Sequence, residues 1–155
     1  MKTRWSGRFP GVLLLALFTC AVIFWPQKFS DFAHTDRTEA SYMFVYTHVS
    51  GSDAAYHSAE IQPEEMERVL RLLNDGRLHW RGFRRVITYT GDQTLYSVTL
   101  GHQGKNGYVQ DARFELLSDG SLYDVRYDMG YIRYRLTDCD AAGVCRELDR
   151  ILHTK

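Results

Sequence analysis

The chain has 155 residues and no net formal charge, with 19 Lys and Arg residues against 19 Asp and Glu residues. This length suits one ordinary domain and no more. The charge is unevenly distributed, because the part that follows Trp25 carries a net charge of −3 (16 basic against 19 acidic residues). That balance argues against nucleic acid as the main partner.

The first element is an apolar run, Gly11–Trp25, with the sequence GVLLLALFTCAVIFW. The cations Lys2, Arg4 and Arg8 precede it without an acidic residue. Such cations hold an N-terminus on the cytoplasmic side of a membrane. We therefore predict a cytoplasmic N-terminus at residues 1–10 and a transmembrane anchor at residues 11–26. This pattern is typical of a single-pass protein of a bacterial inner membrane with its C-terminal domain in the periplasm.

Two alternatives compete with a retained anchor. A cationic segment followed by an apolar run of this length also fits a cleaved signal peptide. The small-residue cleavage pattern is poor, since Thr19 and Ala21 match it badly and the bulky Phe24 and Trp25 continue the run. A lipoprotein is the other alternative, because Cys20 follows a loosely suitable segment with an atypical Thr before it.

Residues 27–40 are polar and mixed, which predicts a linker, and residues 41–155 form the predicted periplasmic domain. The clearest helix is Gln62–Asp75, because Pro63 suits the first helical position. Its apolar residues recur with helical spacing at Met66, Val69, Leu70 and Leu73. Gly76 then suits a left-handed cap at the C-terminus of the helix.

A run of antiparallel strands is predicted by alternating apolar and polar residues at Ser41–Val49, Arg84–Thr90, Thr94–Leu100, Tyr108–Leu117, Leu122–Tyr127 and Tyr131–Leu136. Gly101–Gly107 is predicted to be a flexible hairpin loop, and Val144–His153 a short C-terminal helix. The predicted fold class is α+β: an antiparallel meander of about five to six strands with two packing helices, after an N-terminal transmembrane helix. Curling of the sheet into a partial barrel is a variant of this prediction.

Cys139 and Cys145 are separated by five residues in CDAAGVC. In an oxidising compartment this pair is predicted to form a disulfide bond that closes a small loop. A metal site would need more ligands than the nearby His153, and a catalytic redox pair would have CxxC spacing.

The chain lacks the sequence signatures of common enzymes. It has no GxSxG, HExxH, Walker or dinucleotide-binding motif. GHQGKNG at residues 101–107 has the wrong spacing for a phosphate loop and joins two predicted strands. We therefore expect no catalytic residues, no cofactor and no metal.

The segment Arg77–Arg85, RLHWRGFRR, combines cations with two aromatic side chains. Arg and Trp often dominate protein interfaces. We predict a partner-binding surface there, directed at an acidic protein face or lipid headgroups and formed by Arg77, His79, Trp80, Arg81, Phe83, Arg84 and Arg85. The alternative is a solvated loop whose two aromatic side chains lie in the core.

The layout resembles that of small membrane-anchored periplasmic co-regulators of the ToxS type and of the PsaF or MyfF type. The shared features are a short cationic N-terminus, an apolar run that ends near Trp25 and Pro26, and strands joined by a DG turn, as in FELLSDGSLYDVRYDMGYIRYRL at Phe114–Leu136. The resemblance implies a protein that binds the periplasmic part of a membrane-bound transcription factor and protects it. Members of this class with a curled sheet can also hold an apolar ligand such as a bile acid, so a small apolar-ligand-binding domain is an alternative function.

Two other functions remain open at this point. One is an immunity or inhibitor protein against a toxin that acts in the periplasm. The other is a small carrier or enzyme that uses a cavity in the sheet, which predicts a deep pocket with convergent polar groups.

Overall fold

A computed structural model describes residues 9–35, 40–49, 58–90, 93–126 and 130–153. The helices in these ranges are α1 (Phe9–Phe24), α2 (Phe29–Ala33), α3 (Pro63–Asn74) and α4 (Ala141–His153). The strands are β1 (Gln27–Lys28), β2 (Tyr42–Val49), β3 (Ser58–Ile61), β4 (Arg77–Arg84), β5 (Thr94–Gly104), β6 (Gly107–Leu117), β7 (Ser121–Arg126) and β8 (Gly130–Thr137).

All of these strands belong to one antiparallel sheet of eight strands, in the order β1-β4-β8-β7-β6-β5-β2-β3. The strands from β5 to β8 form a meander, in which each pairs with its neighbour in the chain. Non-local pairs extend both sides of the meander, since β2 joins β5 and β4 joins β8. The outermost described strands, β1 and β3, do not pair with each other, so the sheet is open.

The core lies between one face of the sheet and the helices α2, α3 and α4. The sheet side of this core contains Met43, Val45, Val98, Leu100, Phe114, Leu116, Leu122 and Leu136, all buried. The helix side contains Phe29, Met66, Val69, Leu73, Val144, Leu148 and Ile151. The strand residues alternate along the chain and the helix residues follow the helical repeat, so both patterns place apolar side chains on one face.

The predicted helix at Gln62–Asp75 is confirmed as α3, whose Met66, Val69 and Leu73 are buried. The predicted left-handed cap at Gly76 is wrong, because Gly76 is not among the glycines with positive φ. Glycine is required there for space, since an added Cβ would lie 2.7 Å from a methyl of Leu136 and 2.8 Å from the carbonyl oxygen of Leu73.

The predicted hairpin at Gly101–Gly107 is confirmed, but its loop is much shorter than predicted. The pairing of β5 with β6 continues as far as Gly104 and Gly107, so most of this segment is strand. Gly101 has a packing role rather than a flexible one, because a Cβ there would collide with the carbonyl oxygen of Val109 and with the ring of Tyr42. The glycine residues of the segment predicted a flexible backbone, but the hydrogen bonds between β5 and β6 hold that backbone in strands.

Residues 27–35 belong to the folded domain, contrary to the prediction of a linker at residues 27–40. β1 pairs with β4, and the amide of Phe29 donates to the carbonyl oxygen of Gly76 at 2.9 Å. The ring of Phe29 is fully buried and meets that of Phe114 edge-on, with 5.4 Å between centroids.

The predicted fold class is wrong in its membrane-spanning helix and in its number of strands. Within the part of the chain that the structure describes, none of the helices is long and apolar enough to cross a membrane. The predicted anchor at residues 11–26, and with it the assignment to a bacterial inner membrane, is therefore not supported. α1 has 16 residues, whereas a transmembrane helix needs about 20. The sheet has eight strands and is open, in place of a meander of about five to six strands or a partial barrel.

We predict that Phe29→Ala lowers the free energy of unfolding by about 3–5 kcal/mol, since it empties a fully buried site in the core. Urea denaturation measures the effect. Phe83→Ala is the matched control, because Phe83 is 60 % exposed and its truncation should cost less than about 1 kcal/mol. Equal decreases in the free energy of unfolding for the two variants would show that residues 27–35 are a linker outside the folded domain.

Candidate functional site

β4 has a side that the other described strands leave largely uncovered. Along its inner side it pairs with β8, from Arg77 opposite Thr137 to Arg84 opposite Tyr131. On its outer side β1 pairs only with Arg77 and Leu78. None of the described strands pairs with the outer side from His79 onward. The outward main-chain groups of this stretch can therefore bond to a further strand.

A bulge interrupts β4 in the middle of this open stretch. The register with β8 shifts between Trp80 and Phe83. Gly82 lies in the bulge with a φ of 99°, a conformation that other residues adopt only with strain. Next to the bulge, the Phe83 side chain is exposed and lies edge-on to Trp80, with 6.2 Å between ring centroids.

β4 ends at Arg84, so the predicted strand at Arg84–Thr90 is wrong. The β-branched and aromatic residues of that segment serve a different purpose. Ile87 and Tyr89 pack on the sheet face that lies opposite the helices, against a small buried cluster of Leu95, Leu117 and Tyr123. This face of the sheet is therefore partly covered by the residues that follow β4.

A groove of about 720 Å³ lies between α1 and β4. Its apolar walls include Phe18, Ala21 and Trp25 on one side and Leu78, Trp80 and Tyr134 on the other. Phe24 meets Trp80 edge-on, with 5.3 Å between ring centroids. Lys28, Asp31 and Arg77 add charged groups to the lining. The groove can accept apolar side chains beside the open edge of β4.

α1 extends this apolar surface. Apolar residues lie on all sides of this helix. Seven of them are 56–68 % exposed: Val12, Leu13, Leu14, Leu15, Leu17, Phe18 and Phe24. Exposed apolar patches of this kind mark interaction sites, because water contact with them is unfavourable.

The seven residues predicted to bind a partner lie on or directly after one strand, and neither of their aromatic side chains belongs to the core. Trp80 is half-buried and Phe83 is exposed. Arg81, Arg84 and Arg85 are exposed, and His79 is half-buried. Arg77 is exposed and forms an ion pair with Asp138 at 3.4 Å. The alternative prediction of aromatic side chains tucked into the core is not what the structure shows.

Cys139 and Cys145 are free thiols in the structure, without the predicted disulfide bond. Burial, together with the nearby Asp149 and Asp119, raises the pKa of Cys145 to about 12. Burial also raises the pKa of Cys139 to about 11, with contributions from Asp140 and Asp138. Both thiols therefore stay protonated near neutral pH and are poor nucleophiles.

Sequence reasoning missed a row of polar residues that crosses the face opposite the helices. Register places Tyr46 opposite Ser97, Ser97 opposite Glu115, Glu115 opposite Tyr123, and Tyr123 opposite Arg133. Glu115 is 9 % exposed and Ser97 is 1 % exposed. Glu115 alternates with apolar residues of β6, which indicates an outward side chain, but groups on β2, β7 and β8 surround it.

A second polar pair lies near the β5–β6 bulge. His102 Nδ1 lies 2.9 and 2.8 Å from the two carboxylate oxygens of Asp111. The carboxylate fixes the orientation of the imidazole ring. Among the described residues, no group of three or more His, Cys, Asp or Glu side chains is placed to hold a metal ion.

Comparison with protein-family models, with curated proteins and with solved structures yields no match for this chain.

We predict that the protein, purified without reductant and then denatured, incorporates three equivalents of a thiol-alkylating reagent, one for each of Cys20, Cys139 and Cys145. In the folded protein at neutral pH, Cys145 should react far more slowly than the exposed Cys20, because burial keeps its thiol protonated. Mass spectrometry of the peptides measures both. Labelling of Cys20 alone after denaturation would establish the disulfide bond and contradict the free thiols.

Proposed function

We propose that this protein is a noncatalytic binding protein that holds and stabilises a transcriptional regulator, by accepting an extended acidic segment of it on the open edge of β4. The observation that carries the proposal is this edge, from His79 to Arg84, which has a groove beside it and an exposed aromatic side chain on it.

The main chain of β4 supports strand addition. A sheet edge with free N–H and C=O groups pairs with an extended segment, and this pairing contributes affinity without requiring a particular sequence. The bulge at Gly82 interrupts the regular edge, which restricts unselective pairing with other sheets. A partner strand must match that interruption, so the bulge contributes specificity.

The side chains next to the edge indicate an apolar anchor on the partner. Alternate residues of an added strand point to one face of the sheet. Partner residues that point to the core-side face of β4 would reach the groove between Trp80 and Phe18. Phe83 offers a further apolar contact, which is typical of the few residues that dominate an interface.

The charges indicate an acidic partner. Arg81, Arg84 and Arg85 are exposed on or after the strand, and in the described part of the chain none of them forms an ion pair with a carboxylate. A partner with Asp or Glu flanking its apolar anchor would complement these guanidinium groups, which mainly raises the association rate and the specificity.

The regulatory nature of the partner rests on the resemblance to the ToxS and PsaF or MyfF types, which is one of layout and is carried by no specific motif. Proteins of that kind bind a transcription factor and protect it. The edge of β4 gives this chain a surface suited to that task, since a segment paired into a sheet is withheld from proteases.

The test is site-specific photocrosslinking in the native host, with the photoreactive residue at Arg81 and, in a separate strain, at Leu72 on the exposed side of α3. We expect the Arg81 position, and not Leu72, to crosslink to a transcriptional regulator. The half-life of that regulator should fall at least several-fold when the gene for this chain is deleted.

Complementation with point variants separates binding from folding. Phe83→Ala should fail to restore the regulator's half-life while leaving thermal stability nearly unchanged, because Phe83 is 60 % exposed. Tyr108→Ala is the matched control, since Tyr108 is 65 % exposed and belongs to β6, three strands away from β4. An unchanged half-life in the deletion strain would refute the proposal, and a crosslink to a toxin would establish an inhibitor protein instead.

A further inference from the structure

The centre of the polar row is a carboxyl group that is largely removed from water. Burial raises the pKa of Glu115, although the charges of His48 and Arg113 act in the opposite direction. The carboxyl group also influences the opposite side of the cluster, because the pKa of Tyr131 is raised first by burial and then by Glu115. Glu115 is thus close to groups from strands on both sides of β6.

Every strand that packs near Glu115 contributes polar groups to this cluster. β2 contributes Tyr46 and His48, and β6 contributes Arg113. β5 contributes Ser97 and β7 contributes Tyr123, both directly opposite Glu115, and β8 contributes Tyr131. Arg133, also on β8, lies one strand beyond Tyr123. Its guanidinium carbon is 5.9 Å from the ring centroid of Tyr123, and its Nη2 donates to the hydroxyl oxygen of Ser121 at 3.2 Å.

Arg113 is hydrogen-bonded to β2 and acts electrostatically on Glu115. Its Nη2 donates to the hydroxyl oxygen of Tyr46 at 2.6 Å, a contact that joins residues 67 positions apart in the chain. Glu115 lies two residues further along the same strand, so both side chains are on the same face. A guanidinium group forms its strongest hydrogen bonds with an ionised carboxylate rather than with a neutral hydroxyl.

We propose that Glu115 and Arg113 form a proton-sensitive latch between β6 and β2. While the Glu115 carboxyl group is neutral, Arg113 holds the hydroxyl group of Tyr46. When the carboxyl group loses its proton, the guanidinium group turns toward the carboxylate and releases Tyr46. The proton passes to solvent, and no other covalent bond is made or broken.

The direction of the pH effect follows from the raised pKa of Glu115. The folded state binds this proton more tightly than the unfolded chain does, so the stabilisation is complete below the ordinary value of 4.5 and is lost as the pH rises through the folded-state value. Between the unfolded-state and the folded-state pKa of Glu115, the unfolding equilibrium constant of the native protein rises with pH. The rise is up to about tenfold per pH unit, relative to a variant with a neutral side chain at this position.

The experiment compares the full chain with Glu115→Gln between about pH 4.5 and pH 8. The observables are urea denaturation and the ¹³C resonance of the Tyr46 Cζ atom, assigned with Tyr46→Phe. We expect the resonance to shift with the same midpoint as the carboxyl carbon of Glu115, and to stay constant across this range in Glu115→Gln. We also expect Glu115→Gln to remove the relative loss of stability toward higher pH.

Two control variants make the result specific. Glu64→Gln changes an exposed carboxylate in the first turn of α3 and should leave both observables as in the native protein. His48→Gln should retain the shift of the Tyr46 resonance, because the latch requires the Glu115 proton and not that of the imidazole. A Tyr46 resonance that is constant in the native protein, or that shifts equally in Glu115→Gln, would overturn the latch.

Discussion

The pairing of β4 with β8 is the contact on which the arrangement of the rest depends. It joins residues that follow α3 to residues that precede α4, so that both helices lie on the same face of the sheet. It also requires close approach at Gly76, where a side chain would collide with Leu136. The short β1 then has a strand to pair with, and α2 follows it into the core through Phe29. Since β1 covers only the beginning of β4, the same pairing leaves the remainder of β4 as an edge.

The two faces of the sheet use different physical means of stabilisation. The face under the helices is apolar, and one buried hydroxyl group on it bonds to a helix. Tyr96 is 2 % exposed and bonds to Asp149 on α4, and burial together with this bond raises its pKa. The opposite face carries the polar row and is covered in part by Ile87 and Tyr89. Buried polar groups cost free energy unless they are paired, so the bonds of Arg113 to Tyr46 and of Arg133 to Ser121 offset part of a cost that the apolar face does not carry.

Local patterns in the sequence predicted the elements with many residues and strong periodicity. α3 follows from the spacing of Met66, Val69 and Leu73, and β6 from the alternation of Ala112, Phe114 and Leu116. The two-residue β1 and the four-residue β3 were missed, because elements so short show no period. The strand order, the exposure of Phe83 and the position of β2 near Glu115 depend on non-local pairs. Those pairs are set by the tertiary fold, which no window of the sequence contains.

The candidate binding edge and the polar row are close enough in the sheet to influence each other through one residue. Tyr131 lies opposite Arg84 at the end of β4 and also within the electrostatic reach of Glu115. A strand added to β4 would remove water from this end of β8, and lower water access favours the neutral form of a nearby carboxyl group. By linkage, a proton on Glu115 would then favour the added strand by the same free energy. Three strand spacings of about 4.8 Å separate β4 from β6, so this coupling must be small compared with the main-chain pairing itself. Binding at β4 therefore does not require the latch, and the latch would tune its strength with pH.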